Sequence, residues 1–271
     1  MRRRTIQMSL MVAACGFCLG FEDPNPAASE IESNPKAGEV LHIGGIEGSG
    51  GTIKGMVKFS GEQRDQKKIR TEADPVCHAA HKDAPLLKEK YVFGKNNTLQ
   101  NVFVYISKGL EGKKFDPPER KAVIDQRGCV YVPHVSGVVV NQTLNILNSD
   151  NTGHNVNLKC KKNRRSNDAM ASKGVVLTKS FTKPEMAMNY VCDVHSWMGA
   201  YVHVMEHPYF AVTQKDGTFE IRGVPAGDYE VSVWHEFKPF KPDKPSAAVK
   251  VADSETAELT FTYSPPPPKK K

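Results

Sequence analysis

Residues 189–204 read "NYVCDVHSWMGAYVHV" and set Cys192, His195 and Met198 three positions apart. A thiolate, an imidazole and a thioether so close together form a soft donor set, and copper suits such a set when a second imidazole completes a near-trigonal plane. The loop itself offers one imidazole. Thirty-eight residues before Cys192, "NSDNTGHNVNLK" offers another at His154. The expectation is one copper ion held by His154, Cys192 and His195, with Met198 as a long axial ligand.

Taken alone, Cys-x2-His-x2-Met also fits a buried thiol, a surface histidine and a core methionine. The upstream histidine, the β patterning and an export segment weigh against that reading. Other metals fit less well. A binuclear copper loop needs a second cysteine four residues from the first, where Met188 and Ser196 stand. Covalent haem needs Cys-x2-Cys-His, and "DPVCH" has Asp74 in place of the first cysteine. Structural zinc prefers several thiolates or imidazoles in paired spacing, and a thioether is a poor zinc ligand. "CHAAH" puts His78 and His81 beside Cys77 with no further ligand clustered nearby. No additional His-x-His cluster suggests a catalytic second centre, so no enzyme activity and no small-molecule substrate are expected.

The elements that must position these donors read as strands. "NVFVYIS", "KAVIDQ", "CVYVP", "SGVVVN", "HNVNLK", "MNYVCDV" and "AYVHVME" are short β-branched and aromatic runs separated by turn residues. Such spacing without a helical period argues for a sandwich or barrel of antiparallel strands. Residues 61–98 interrupt the pattern and hold the expected helical turn or two. A further unit starts near "HPYFAVT", where a D-G turn leads into "TFEIRG" and "PAG" leads into "YEVSVW".

With these residues in view, 52–206 resembles the cupredoxins, the type 1 blue copper electron carriers, and most of all the amicyanin and plastocyanin branch. That family carries a His-Asn pair at a strand end, matched by His154 and Asn155, and a Cys-x2-His loop matched by Cys192 and His195. Met198 three residues on gives the short loop typical of amicyanin. Gly153 and Ser196 depart from prolines frequent in the family. The resemblance implies a Greek-key β-sandwich and one-electron transfer. It makes Asn155 the residue that holds the cysteine loop, and His195 an exposed exit beside Trp197. The segment "DGTFEIRGVPAGDYEVSVWHE" resembles the carboxypeptidase regulatory-like sandwiches, with Gly217, Gly223, Pro225 and Gly227 at turns and Phe219, Ile221, Tyr229 and Trp234 in the core. The resemblance to methylamine-utilisation-like exported bacterial proteins rests on the two modules occurring together.

The expected organisation is an export segment at 1–20, a flexible linker at 21–50, a copper domain at 51–206, a small β-sandwich at 207–263 and a disordered Pro/Lys tail at 264–271. The N-terminus has a basic start and a short apolar run, and "VAAC" ending at Cys15 resembles a lipobox, so a periplasmic or envelope lipoprotein is expected. The membrane is then met only through that lipid anchor. The net charge of +7 is carried largely by Arg2, Arg3, Arg4, Lys269, Lys270 and Lys271, which leaves the middle near neutral and gives no case for nucleic acid. The basic run with Lys161, Lys162, Arg164 and Arg165 reads first as a solvated loop, and its functional alternative is a docking patch for an acidic redox partner protein; Trp197, beside His195, is a separate candidate for the surface that a partner meets. Spacing does not decide how Cys77, Cys129, Cys160 and Cys192 pair; a Cys77–Cys129 disulfide with Cys160 free is the expectation.

Overall fold

The run "NVFVYIS" lacks the polar alternation of a half-exposed strand, so it needs cover on both faces. In the computed structural model, which describes residues 50–267, that cover is present. The strand Phe103–Lys108 lies in a four-stranded sheet between Phe210–Val212 and Gly227–Trp234, with Ser246–Val251 beyond. Val104 and Ile106 point into one core with Ile53, Val57, Ile221, Val231 and Phe261. Phe103 points the other way, to Val135, Val139, Met205 and Phe210.

The described residues are nearly all β, and their sheets stack in four layers. Layer one is a six-stranded sheet built around Gly51–Phe59, and layer two is the sheet of Phe103–Lys108; they enclose the first core. Layer three is five-stranded, in the order Ser166–Met170, His154–Lys159, Glu185–Val191, Gly199–Met205, Val135–Val139. Layer four is Val176–Lys179, Leu144–Asn148, Ala122–Gln126 and Tyr131–Val132. Layers three and four enclose a separate core that includes Ile124, Ile146, Val156, Leu158, Tyr190 and Val202.

This corrects the expected division at 206. Gly51–Phe59 runs parallel to Thr256–Ser264 and antiparallel to Thr218–Val224, and so completes the C-terminal sandwich. Phe103–Lys108 likewise pairs with Phe210–Val212 and Gly227–Trp234. The physical reason is edge closure: Thr218–Val224 and Thr256–Ser264 each keep an open row of backbone N–H and C=O groups until the first strand fills the gap between them. Phe219, Ile221 and Tyr229 lie in that core, whereas Trp234 packs at the junction of layers two and three. Gly137 in layer three shows how tight that junction is, since a Cβ there would sit 2.5 Å from Phe210 Cε2 and 2.8 Å from Phe103 Cε2.

Within 61–98 the helix Pro75–Ala80 forms where "DPVCHAA" directs it. Asp74 caps it by accepting from Val76 N (2.8 Å) and Cys77 N (2.9 Å), and Pro75 occupies the first turn, where no N–H is needed. A disulfide joins Cys77 to Cys129 with a Cα–Cα distance of 5.8 Å, and ties this helix to layer four; Cys160 and Cys192 are free and buried. Thr256–Ser264 carries strand structure to the first residue of the expected tail. The export segment with Cys15, all but the end of the linker, and residues 268–271 lie outside the described residues.

Candidate metal centre

The ligand loop joins two paired strands. Glu185–Val191 and Gly199–Met205 run antiparallel with Val191 opposite Gly199, so Cys192–Met198 must turn within a hairpin. Cys192 N–H donates to Met198 O (3.3 Å) and Met198 N–H donates to His195 O (2.9 Å), which folds the loop back on itself. On its other edge Glu185–Val191 pairs with His154–Lys159, Val191 opposite Asn157, and this register brings the start of that strand beside Cys192.

Ligand atoms of His154, Cys192 and His195 lie within 4.8 Å of one another, and the three residues are 3%, 2% and 2% exposed. The two Nδ1 atoms are 2.9 Å apart, and Cys192 Sγ is 4.0 Å from His195 Nδ1. The outer nitrogens both meet carboxylates: His154 Nε2 is 2.9 Å from Asp150 Oδ2, and His195 Nε2 is 3.0 Å from Asp74 Oδ2. A carboxylate accepts, so each Nε2 carries the hydrogen and each Nδ1 presents a lone pair. Two lone pairs facing each other beside a sulfur require a cation, either a proton or a metal ion, and carboxylate-backed imidazoles are the usual outer support of metal ligands. Met198 is 1% exposed and packs in the core that includes Cys192.

The electrostatics agree with this geometry. Burial disfavours a charged His154, but Asp150 and Cys192 outweigh it and hold its pKa at about 9. Burial likewise raises the Cys192 thiol, and hydrogen bonding from His154 and from neighbouring backbone groups outweighs that and keeps it below its ordinary value. The Cys77 backbone N–H holds Asp74 at about 2 against the opposing effect of burial, with His195, Thr152 and Val76 adding to the lowering.

Asn155 fixes the loop. Its Oδ1 accepts from Asp193 N (2.7 Å) and Val194 N (3.4 Å) and faces Cys192 Sγ at 3.3 Å, while its Nδ2 donates to Asp193 Oδ2 at 3.0 Å. Asn157 and Asn167 also donate to the Asp193 carboxylate, so three amides hold the residue that follows Cys192.

One expectation about access is corrected. His195 is buried: Asp74 covers its Nε2, the Cys77 sulfur lies 3.7 Å away, and the Trp197 ring centroid is 5.0 Å from its own. The helix and disulfide carried by the 61–98 insertion thus close over the imidazole that was expected to be open. Trp197 is half-buried and pinned by its Nε1 donating to Cys129 O at 3.0 Å. The exposed part of the loop is Asp193, Val194 and Ser196, with Val194 63% exposed.

The basic run stands away from the metal loop. Lys161, Lys162, Arg164 and Arg165 follow the far end of His154–Lys159, roughly 17 Å along the strand from His154 at about 3.3 Å per residue. There the Glu185 carboxylate accepts backbone N–H groups from Lys161, Lys162 (2.8 Å) and Asn163 (2.9 Å), and Arg165 Nε donates to Cys160 O at 2.8 Å. Burial raises the pKa of Glu185, but these N–H groups outweigh it and leave the value lowered. A lowered carboxylate adds stability above its unfolded value of about 4.3 and loses it as pH falls through the folded value. Glu185→Gln is therefore expected to cost about 1.5–3 kcal/mol at pH 7, the range for hydrogen bonds to a charged group, and progressively less below pH 4. Urea unfolding of both proteins across that range checks this.

Sequence reasoning missed Asp74 and Asp150 as partners of the histidines. Asp150 had a signal, since it stands four residues before His154. "CHAAH" forms no separate cluster: His81 Nε2 bonds Gly128 O at 2.7 Å and His78 is exposed.

No protein-family model matches the chain, and no curated protein matches it. Among solved structures it is similar to a Cu-containing nitrite reductase from Thermus scotoductus SA-01, at 19% identity over 36% of this chain and a TM-score of 0.31. That match spans only 25% of the reductase. It is also similar to a purple cupredoxin from Nitrosopumilus maritimus, at 20% identity over 31% of this chain and 98% of that one, TM-score 0.27. A reduced Cu(I) form of an amicyanin variant matches at 22% identity over 37% of this chain and 97% of that one, TM-score 0.29.

Proposed function

We propose that this chain is an exported mononuclear type 1 copper protein that carries single electrons and is not an enzyme. The observation that carries the proposal is the convergence of two imidazole Nδ1 atoms and the Cys192 sulfur, each outer nitrogen held by its own carboxylate. Copper, when bound, supplies a one-electron couple, and a thiolate with two imidazoles and a thioether suits it. The chain's own residues do the rest. Asp74 and Asp150 fix the ring tautomers, Asn155 fixes the cysteine loop, and the helix with its disulfide keeps water from His195. A partner protein would approach the solvent-facing stretch Asp193–Val194, one bond path from Cys192. Export and lipidation at Cys15 are part of the proposal, supported by the sequence of the N-terminal segment.

The cover over His195 favours a second reading, in which the protein stores copper without fast electron exchange. Loading the purified chain with Cu(II) tests both readings. One copper per chain with intense visible absorption, bleached by ascorbate and restored by oxidant, is expected of the carrier. Bound copper that does not cycle turns the assignment to storage. A folded, copper-loaded but colourless protein overturns the type 1 site.

A further inference from the structure

His134 is a half-buried titratable group with no part in the ligand set. It follows layer four's Tyr131–Val132 strand and stands at the start of Val135–Val139. Its Nδ1 donates to Gly199 O at 3.0 Å, and its Nε2 donates to Glu236 Oε1 at 2.5 Å. Glu89 Oε2 lies 3.6 Å from Nδ1. With both nitrogens donating, the ring is an imidazolium. The backbone repeats the attachment, since Tyr201 N–H donates to His134 O at 2.8 Å. Gly199 directly follows Met198, and Glu236 stands two residues past Trp234, where the strand Gly227–Trp234 of the second sandwich ends. Trp197, Met198, His134 and Glu236 line one cleft between the metal loop and that sandwich.

We propose that His134 is a positioning residue for the metal loop, anchored by Glu236 of the C-terminal sandwich and acting through the carbonyl of Gly199. The chemistry is direct. A charge-assisted hydrogen bond to a carbonyl is about twice as strong as a neutral one, and this carbonyl belongs to the residue after Met198, the thioether that would complete the donor set. Held there, the peptide after Met198 cannot swing into the cleft, so the second sandwich gains a task at a site to which it donates no ligand. The effect on copper rests on the function proposed above.

The test uses the full chain, copper-loaded and metal-free, with Glu236→Ala and Glu236→Gln. The glutamine oxygen still accepts from Nε2, so Glu236→Gln should keep the wild-type visible and electron paramagnetic resonance spectra. Glu236→Ala should lower Cu(I) affinity about 10-fold, the low end for outer residues, and change the charge-transfer band ratio. In the metal-free chain it should also speed amide exchange at Cys192 and Met198 but not in Val176–Lys179. Wild-type spectra and affinity in Glu236→Ala, whatever its stability, overturn the proposal. If the wild type binds no copper, the copper reading falls and exchange alone decides: unchanged loop protection in Glu236→Ala overturns the clamp, and faster exchange upholds it.

Discussion

Serine at position 192 is expected to erase the intense visible absorption of the copper-loaded chain and to weaken copper binding by more than about 100-fold, since outer-residue changes alone cost 10–100-fold. The thiol is 2% exposed and receives the His195 N–H at 3.4 Å, in an arrangement that favours the thiolate. A serine hydroxyl fits the same space and keeps the hydrogen bonds, but it stays protonated near neutral pH and is a hard donor that suits copper poorly. The metal-free variant should therefore unfold close to the wild type while its copper spectrum is lost. The comparison needs only absorption spectra and a competition titration with a Cu(I) chelator. Intense absorption retained by Cys192→Ser would remove the thiolate from the assignment and leave the two imidazoles to bind copper alone.

How far the site could be read beforehand follows from how each residue reaches it. Cys192, His195 and His154 were legible because donor type and spacing are local properties, and one antiparallel pairing brings their strands together. Asp74 was not, because 121 residues separate it from His195. In sequence it reads as an N-cap before proline, and it is one. Its Oδ1 caps the helix, while the freed Oδ2 bonds His195. The Cys77–Cys129 link sets the helix against layer four, and Thr152 Oγ1 donates to the same Oδ2 at 3.0 Å; neither long-range contact is visible in the local sequence.

The fold divides in the same way. Strand runs were legible from composition, but the sandwich each strand enters depends on partners far away. Gly51–Phe59 and Thr256–Ser264 pair in parallel from opposite ends of the described chain, and both have the composition of strands in either sandwich. The one local clue was the unbroken apolar run at 102–106, which marks a stretch of strand covered on both faces and hence a layer inside the stack.

That inner layer gives the largest expected stability effect. Phe103 is fully buried, with its ring stacked on His203 at 4.0 Å and 8° and close to Phe210 at 5.3 Å. Phe103→Ala should cost about 3–5 kcal/mol, because the rigid sheets of layers two and three cannot close the cavity. The cost should also depend on pH. Burial pushes the pKa of His203 down to about 3, so the folded protein keeps it neutral while the unfolded chain protonates it near 6.5. A lowered folded value means stability is full above about 6.5 and is lost as pH falls towards 3. Alanine at 103 lets water reach the imidazole and raises its folded pKa, so the variant loses less on acidification. The gap between the two proteins, measured by urea unfolding of the metal-free chain, should be widest at pH 7.5 and narrower at pH 5. A gap below about 1 kcal/mol at pH 7.5 would mean that layers two and three do not share a packed junction, since a Phe→Ala change in a filled core costs several times that.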